Sequence, residues 1–193
     1  MHLKALLACA AVAAAVNLPL GAAEQPGTPP GWTVSATVGK QYEVGYDPKE
    51  GAVYLRSVGD PGDAVGALSQ SIDPAAYRHK NLMLSAEVKV DPEPGRVELF
   101  LRASGGPDTH SGASWNTPKE WAPITVQMGD GVTDATTALD YGLAIQGRGR
   151  VWIRNVQLTV LPDTARQAHN VPLHLKLPAE PIVPRPVNLG LRP

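Results

Sequence analysis

Apolar and polar residues alternate with period two through most of the chain. Leu82, Leu84, Ala86, Val88 and Val90 interleave with Met83, Ser85, Glu87 and Lys89, which predicts a strand with one buried and one wet face. Val97, Leu99 and Leu101 alternate with Glu98, Phe100 and Arg102, and Ile124, Val126 and Met128 with Thr125 and Gln127. Leu139, Tyr141, Leu143 and Ile145 repeat the pattern. Further strands are predicted around residues 32–38, 41–46, 52–58, 65–72 and 151–160.

Between these runs lie Asp47-Pro48, Gly59-Asp60-Pro61-Gly62, Asp91-Pro92-Glu93-Pro94-Gly95, Gly105-Gly106-Pro107 and Gly129-Asp130-Gly131. Each is turn chemistry: Pro fixes φ, Gly supplies positive φ, and Asp bonds its own backbone. Asp73-Pro74-Ala75-Ala76-Tyr77-Arg78, with a capping Asp and Pro at the first helical position, predicts a single helical turn. The Gly, Ser, Asp and His of residues 104–116 show no period and predict a loop. Many short strands at this spacing mean an all-β sandwich or barrel.

The alternating body, residues 32–161, is flanked by three segments of different composition. Residues 1–23 have the order of a secretory signal: Lys4, an apolar run from Ala5 to Val16, the breakers Asn17 and Pro19, and small Gly21-Ala22-Ala23, with cleavage expected after Ala23. Leu6-Leu7-Ala8-Cys9 is like a lipoprotein box, but only four residues separate Lys4 from Cys9, fewer than the roughly 7 to 15 an apolar core needs. Cys9 then leaves with the signal, and the mature chain carries no disulfide, thiol nucleophile or thiolate metal site.

Residues 24–31 form a Pro/Gly-rich linker. Residues 162–193 form a tail with seven prolines, from Pro162 to Pro193, expected as extended polyproline-like chain. Inside it Val171, Leu173, Leu175 and Leu177 alternate with Pro172, His174 and Lys176, which suits a short strand on a sheet edge. The formal charge is -1 and basic residues are scattered. Neither a nucleic acid nor an anionic membrane surface is an expected partner, and export ends in the periplasm or outside the cell.

One succession of segments is distinctive: Gly31-Trp32, Tyr42-Glu43-Val44-Gly45-Tyr46-Asp47, Val53-Tyr54-Leu55-Arg56-Ser57, Leu68-Ser69-Gln70-Ser71-Ile72 and Tyr77-Arg78. It continues through residues 82–90, Leu99-Phe100-Leu101-Arg102, Trp121, Gly142-Leu143-Ala144-Ile145-Gln146-Gly147 and Gly149-Arg150-Val151-Trp152-Ile153. Their order and spacing resemble the galactose-binding-like jelly-roll domain of bacterial secreted proteins, hydrolases and AraC-type regulators, whose fold is shared with carbohydrate-binding modules. The resemblance implies an antiparallel jelly-roll β-sandwich that holds a sugar against aromatic and polar side chains on a sheet face or loop rim. Relatives often carry an acidic pair for structural calcium after the last aromatic residue of the final strand. Here those positions read Arg154-Asn155, which lack the carboxylates a hard cation requires.

Candidate chemistry narrows to binding. Asp108, His110, Ser104, Ser111 and Ser114 contain the parts of a hydrolytic triad, but no nucleophile sits in a strained elbow and one Gly/Ser loop cannot hold three groups in register. Asp108 with His110, and His169 with His174, offer two ligands each where zinc needs three or four; no metal or cofactor is expected. Glu98, Phe100 and Arg102 share one strand face, as do Gly142, Ala144 and Gln146, with Gln70 and Gln127 expected outward in their own strands. Trp115, among Gly, Ser and Asn, is the expected aromatic platform, while Trp32, Trp121 and Trp152 are expected in the core.

These readings predict an exported, noncatalytic module for carbohydrate or an envelope glycan, with Arg102, Gln70, Gln146 and Trp115 meeting in one concavity. The alternative is an envelope protein-interaction or structural module whose tail docks on a partner or a sheet edge. A hydrolase using the 104–116 loop is the third.

Overall fold

The computed structural model describes residues 27–36, 40–91, 95–107, 109–115, 120–163 and 180–193. The expected signal and the alternation at 171–177 lie outside the described residues. Period-two alternation produces two sheets, each exposing one face to the other. The first runs β1 (Thr33–Ala36), β4 (Val65–Ile72), β9 (Ala138–Gln146), β6 (Arg96–Ser104), β7 (Thr109–Trp115). The second runs β2 (Tyr42–Asp47), β3 (Ala52–Ser57), β10 (Arg150–Leu161), β5 (Asn81–Val90), β8 (Ala122–Met128). All of these neighbours pair antiparallel, and the crossovers between sheets make a jelly-roll β-sandwich. Asp73 accepts the Ala75 amide at 2.9 Å to open the expected single 3-10 turn, Ala75–Tyr77.

The core forms where the inward positions meet. Val97, Leu99, Leu101, Leu139, Tyr141, Leu143 and Ile145 of the first sheet face Val53, Leu55, Leu82, Leu84, Val88, Val151 and Ile153 of the second. β5 alternates in burial along its whole length, as its sequence predicts. β4 and β9 depart from that pattern, because nearly every residue on both their faces is buried. In β10 the register against β5 shifts between Arg154 and Gln157, with Asn155 at φ 54°, so a bulge re-aims the strand. Val151 and Ile153 point inward before it, Val156 and Leu158 after it.

Two segments correct the sequence reading. Residues 109–115, expected as loop, are the edge strand β7 paired with β6 from Ala103↔Thr109 to Val97↔Trp115. The described end of the tail is no linker: Ile182–Val183 form β11, parallel to Ser71 and Ile72 of β4. Leu191 enters the core cluster, a burial worth about 2 kcal/mol.

Candidate functional site

The outer face of the first sheet is built in transverse rows set by strand register. Ser71, Asp140, Arg102 and His110 stand side by side in one row; Ser69, Gly142, Phe100 and Gly112 form the next. Ala67, Ala144, Glu98 and Ser114 follow, then Val65, Gln146 and Arg96. Polar and charged groups thus rise from a floor of glycine, alanine and serine. The floor is necessary: a Cβ on Gly112 would collide with Glu98 Oε1, and one on Gly142 with the Leu68 carbonyl of the adjoining strand.

The buried charges of this face are held by neighbours, because a buried ion is tolerated only when paired. Arg102 clasps Asp140 through Nε at 3.0 Å and Nη2 at 2.9 Å, and Ser104 Oγ donates to the same oxygen at 3.0 Å. Glu98, with no exposed surface, meets His110 Nε2 at 2.8 Å. The His110 ring leans on Phe100 with centroids 5.9 Å apart, and Phe100 joins Ala67 and Ala144 in a small cluster separate from the sandwich core. Ser69 Oγ donates to Glu180 Oε1 at 2.5 Å, so a tail carboxyl stands on the β4 side of the same face. Burial pushes the Glu180 carboxyl above its usual range, against the opposing pull of hydrogen bonds from Ser69 and Thr33. The face is closed: Phe100 is wholly buried and the Arg102 side chain is 14% exposed.

Of the expected binding residues, the structure brings together Glu98, Phe100 and Arg102. Gln146 shares their face, in the row next to Glu98 but three rows from Arg102, about 20 Å along the strand, and its amide donates to the Asp63 carbonyl. Gln70 and Trp115 are corrected. Gln70 points inward with Leu68 and Ile72; its amide bonds the Gly31 and Val187 carbonyls, and its oxygen accepts from the Val187 amide and the Tyr141 hydroxyl. It clamps the tail to the sandwich and is not available to a ligand. Trp115 sits opposite Val97 and packs against the core. The expected convergence of Arg102, Gln70, Gln146 and Trp115 does not occur.

Gln127 belongs to the other outer face, that of the second sheet, across from Met83. Trp121 and Trp152, expected in the core, are on this face and outside the inter-sheet cluster, Trp152 nonetheless buried at 6% exposure, whereas Trp32 is in the core as expected. Trp152 donates to Asp47 Oδ2 at 3.2 Å and Trp121 to Glu50 Oε2 at 3.0 Å. Lys89 Nζ lies 5.4 Å from the Trp152 ring and 2.6 Å from Glu50, and the Arg154 guanidinium 4.0 Å from the Trp121 ring. The Lys89 bond, then that of Trp121, holds Glu50 below the usual carboxylate range. Arg154 and Asn155, at the positions where relatives place calcium ligands, both donate to Glu87.

Four contributors to the first face escaped the sequence reading of binding residues: Asp140, Ser69, Ser71 and His110 as partner of Glu98. Asp140 shares parity with Gly142 and Ala144, Ser69 sits opposite Gly142 and Ser71 opposite Asp140, so extending the alternation by one or two residues finds them. Among the described residues no three His, Cys, Asp or Glu side chains converge as metal ligands.

No protein-family model matches this chain, and no curated protein matches it. Solved structures do, at low identity. A carbohydrate-binding module, CBM4, superposes with TM-score 0.52 at 18% identity, covering 67% of this chain and 86% of its own. A putative sugar-binding protein from Bacteroides thetaiotaomicron gives 0.50 at 10% identity, covering 67% and 87%. The CBM22-1 and GH10 modules of Clostridium thermocellum endo-1,4-beta-D-xylanase 10B, solved with xylohexaose, give 0.50 at 11%, covering 74% of this chain and 28% of that one. The fold is therefore that of the carbohydrate-binding modules of the β-sandwich type.

Proposed function

We propose that this chain is an exported, noncatalytic module that binds a glycan on the outer face of its first sheet. The observation that carries the reading is the row architecture: Arg102, Asp140, Glu98, His110 and Phe100 projecting from a floor of small residues on a carbohydrate-binding-module sandwich. A sugar wants planar hydrogen-bond partners beside an aromatic surface, and this face holds both, Arg102 partly exposed and Phe100 buried until the face opens. The carboxylates are committed to Arg102 and His110, an arrangement that favours fixed recognition over proton transfer. Glu180 on Ser69 presents an oxygen where a sugar hydroxyl would sit, and a glycan displaces it to enter. The leader at residues 1–23 supports export to the periplasm or cell exterior.

A glycan array probed with residues 24–193, and with Arg102→Lys, tests this. Binding that weakens about tenfold or more in Arg102→Lys, through loss of the planar fork, is expected. Absence of binding to any neutral or acidic glycan overturns it. The protein-interaction alternative draws on one observation, the acceptance of β11 by β4, since the same edge could take an extended segment from a partner.

A further inference from the structure

On the second sheet's outer face, two guanidinium groups stand directly opposite each other, Arg56 of β3 and Arg150 of β10. Like charges in that position repel, and an intervening anion relieves the repulsion. Arg56 has one, the carboxylate of Glu43, its neighbour on β2. Arg150 has none among the described residues. Its Nε is buried without a hydrogen-bond partner. Asp47, an acid that feels its charge, has Oδ2 taken by the Trp152 indole and Oδ1 by the Lys49 and Glu50 amides.

The guanidinium is nevertheless fixed. Its carbon lies 5.1 Å from the Tyr54 ring centroid and 5.2 Å from that of Trp152, so it is slotted between two aromatic rings. Tyr54 itself is laid across Gly45, where a Cβ would collide with its hydroxyl, and Trp152 is tied to Asp47. A donor group ordered before it meets its acceptor loses little entropy on binding. A planar fork of donors matches a carboxylate in two-point geometry, and the flanking rings, which also carry Arg56 and Lys89, hold that fork in place.

We infer that the slot of Arg150 between Tyr54 and Trp152 is a second binding site, taking the carboxylate of an acidic sugar such as a uronic acid. The inference rests on the glycan-binding reading for the sugar and on the guanidinium pair for the charge.

Calorimetric titration of the full chain with oligogalacturonate and with its methyl ester tests it, because esterification removes the charge and leaves the sugar ring. The free acid is expected to bind about tenfold or more tightly than the ester, the worth of one charge-assisted hydrogen bond, with the preference shrinking as salt is raised. Arg150→Gln erases the preference. Should that variant not fold, Arg150→Lys, which keeps stem and charge, is expected to reduce it. Equal binding of acid and ester, or no binding of the acid, overturns the inference. So does an acid preference that Arg102→Lys removes and Arg150→Gln leaves intact, since that charge recognition would belong to the first face. Neutral glycans report the first face separately, so failure there and failure here are distinguishable.

Discussion

The two outer faces of the sandwich solve the same problem in opposite ways. Both must satisfy charged side chains on a β-sheet surface. The first face does so with small residues and buried pairs: Glu98 with His110, Arg102 with Asp140, above Gly112, Gly142 and Ala144. The second does so with large rings and half-exposed pairs: Trp121 under Arg154, Trp152 under Lys89, with Glu50 and Glu87 between them. Small floor residues leave depth above a sheet, whereas aromatic residues fill it. A face with depth can close over a guest, and a filled face can present only edges and charge. The difference predicts that single changes on the first face cost stability and those on the second cost little.

The largest effect is expected from His110→Ala. It removes a hydrogen-bond partner from a carboxylate with no exposed surface, a loss of about 3 kcal/mol in urea unfolding. Adding Glu98→Gln removes the buried charge and should recover part of that loss, so the two changes are strongly non-additive. Additive behaviour would mean that the pair is not what makes the first face rigid.

On the second face, Arg154→Met keeps the stem over Trp121 and deletes the charge. The cation–ring contact and the Glu87 pair are both partly solvent-exposed, so the same measurement should give about 1 kcal/mol or less. A cost equal to that of His110→Ala would erase the contrast between the faces.

How much of this contrast was legible in the chain follows from the parity of each strand. Nine strands follow from alternation and turn residues, and so do Glu98, Phe100 and Arg102 on one face. Gln70 is polar, which suggests an outward position, but Leu68 and Ile72 flank it at period two and aim it inward, where partners distant in sequence, Gly31, Tyr141 and the Val187 backbone 117 residues away, satisfy it. Trp152 is buried, as its size suggests, but on the outer side of its sheet, since Val151 and Ile153 take the inward positions. The bulge at Asn155 changes the parity of β10 midway, which no pattern announces. β7 has too little apolar content to read as a strand and exists because β6 offers it an edge. β11 is two residues long and pairs with a strand more than a hundred residues earlier, so no local signal specifies it.

The finest discrimination between the faces comes from Glu180, the tail residue standing on the first face. Burial raises its pKa in the folded protein above the unfolded value, so the folded state binds the proton more tightly than the unfolded chain does. Its contribution to stability is therefore complete below the ordinary carboxyl pKa and is lost as pH rises through the raised value. Glu180→Gln, neutral at every pH, should match the native chain in melting temperature near about pH 4 and exceed it near about pH 7. Hydrogen exchange at β11, paired just beyond Ser69, should show the same crossover, with the native tail opening more readily as the carboxyl ionises. Glu50 supplies the reverse control, because its pKa is lowered by Lys89 and Trp121 and its contribution falls away only in acid. If Glu180→Gln and the native chain run parallel across that range, the tail carboxyl is not held as a neutral guest on the first face, and what closes that face is packing alone.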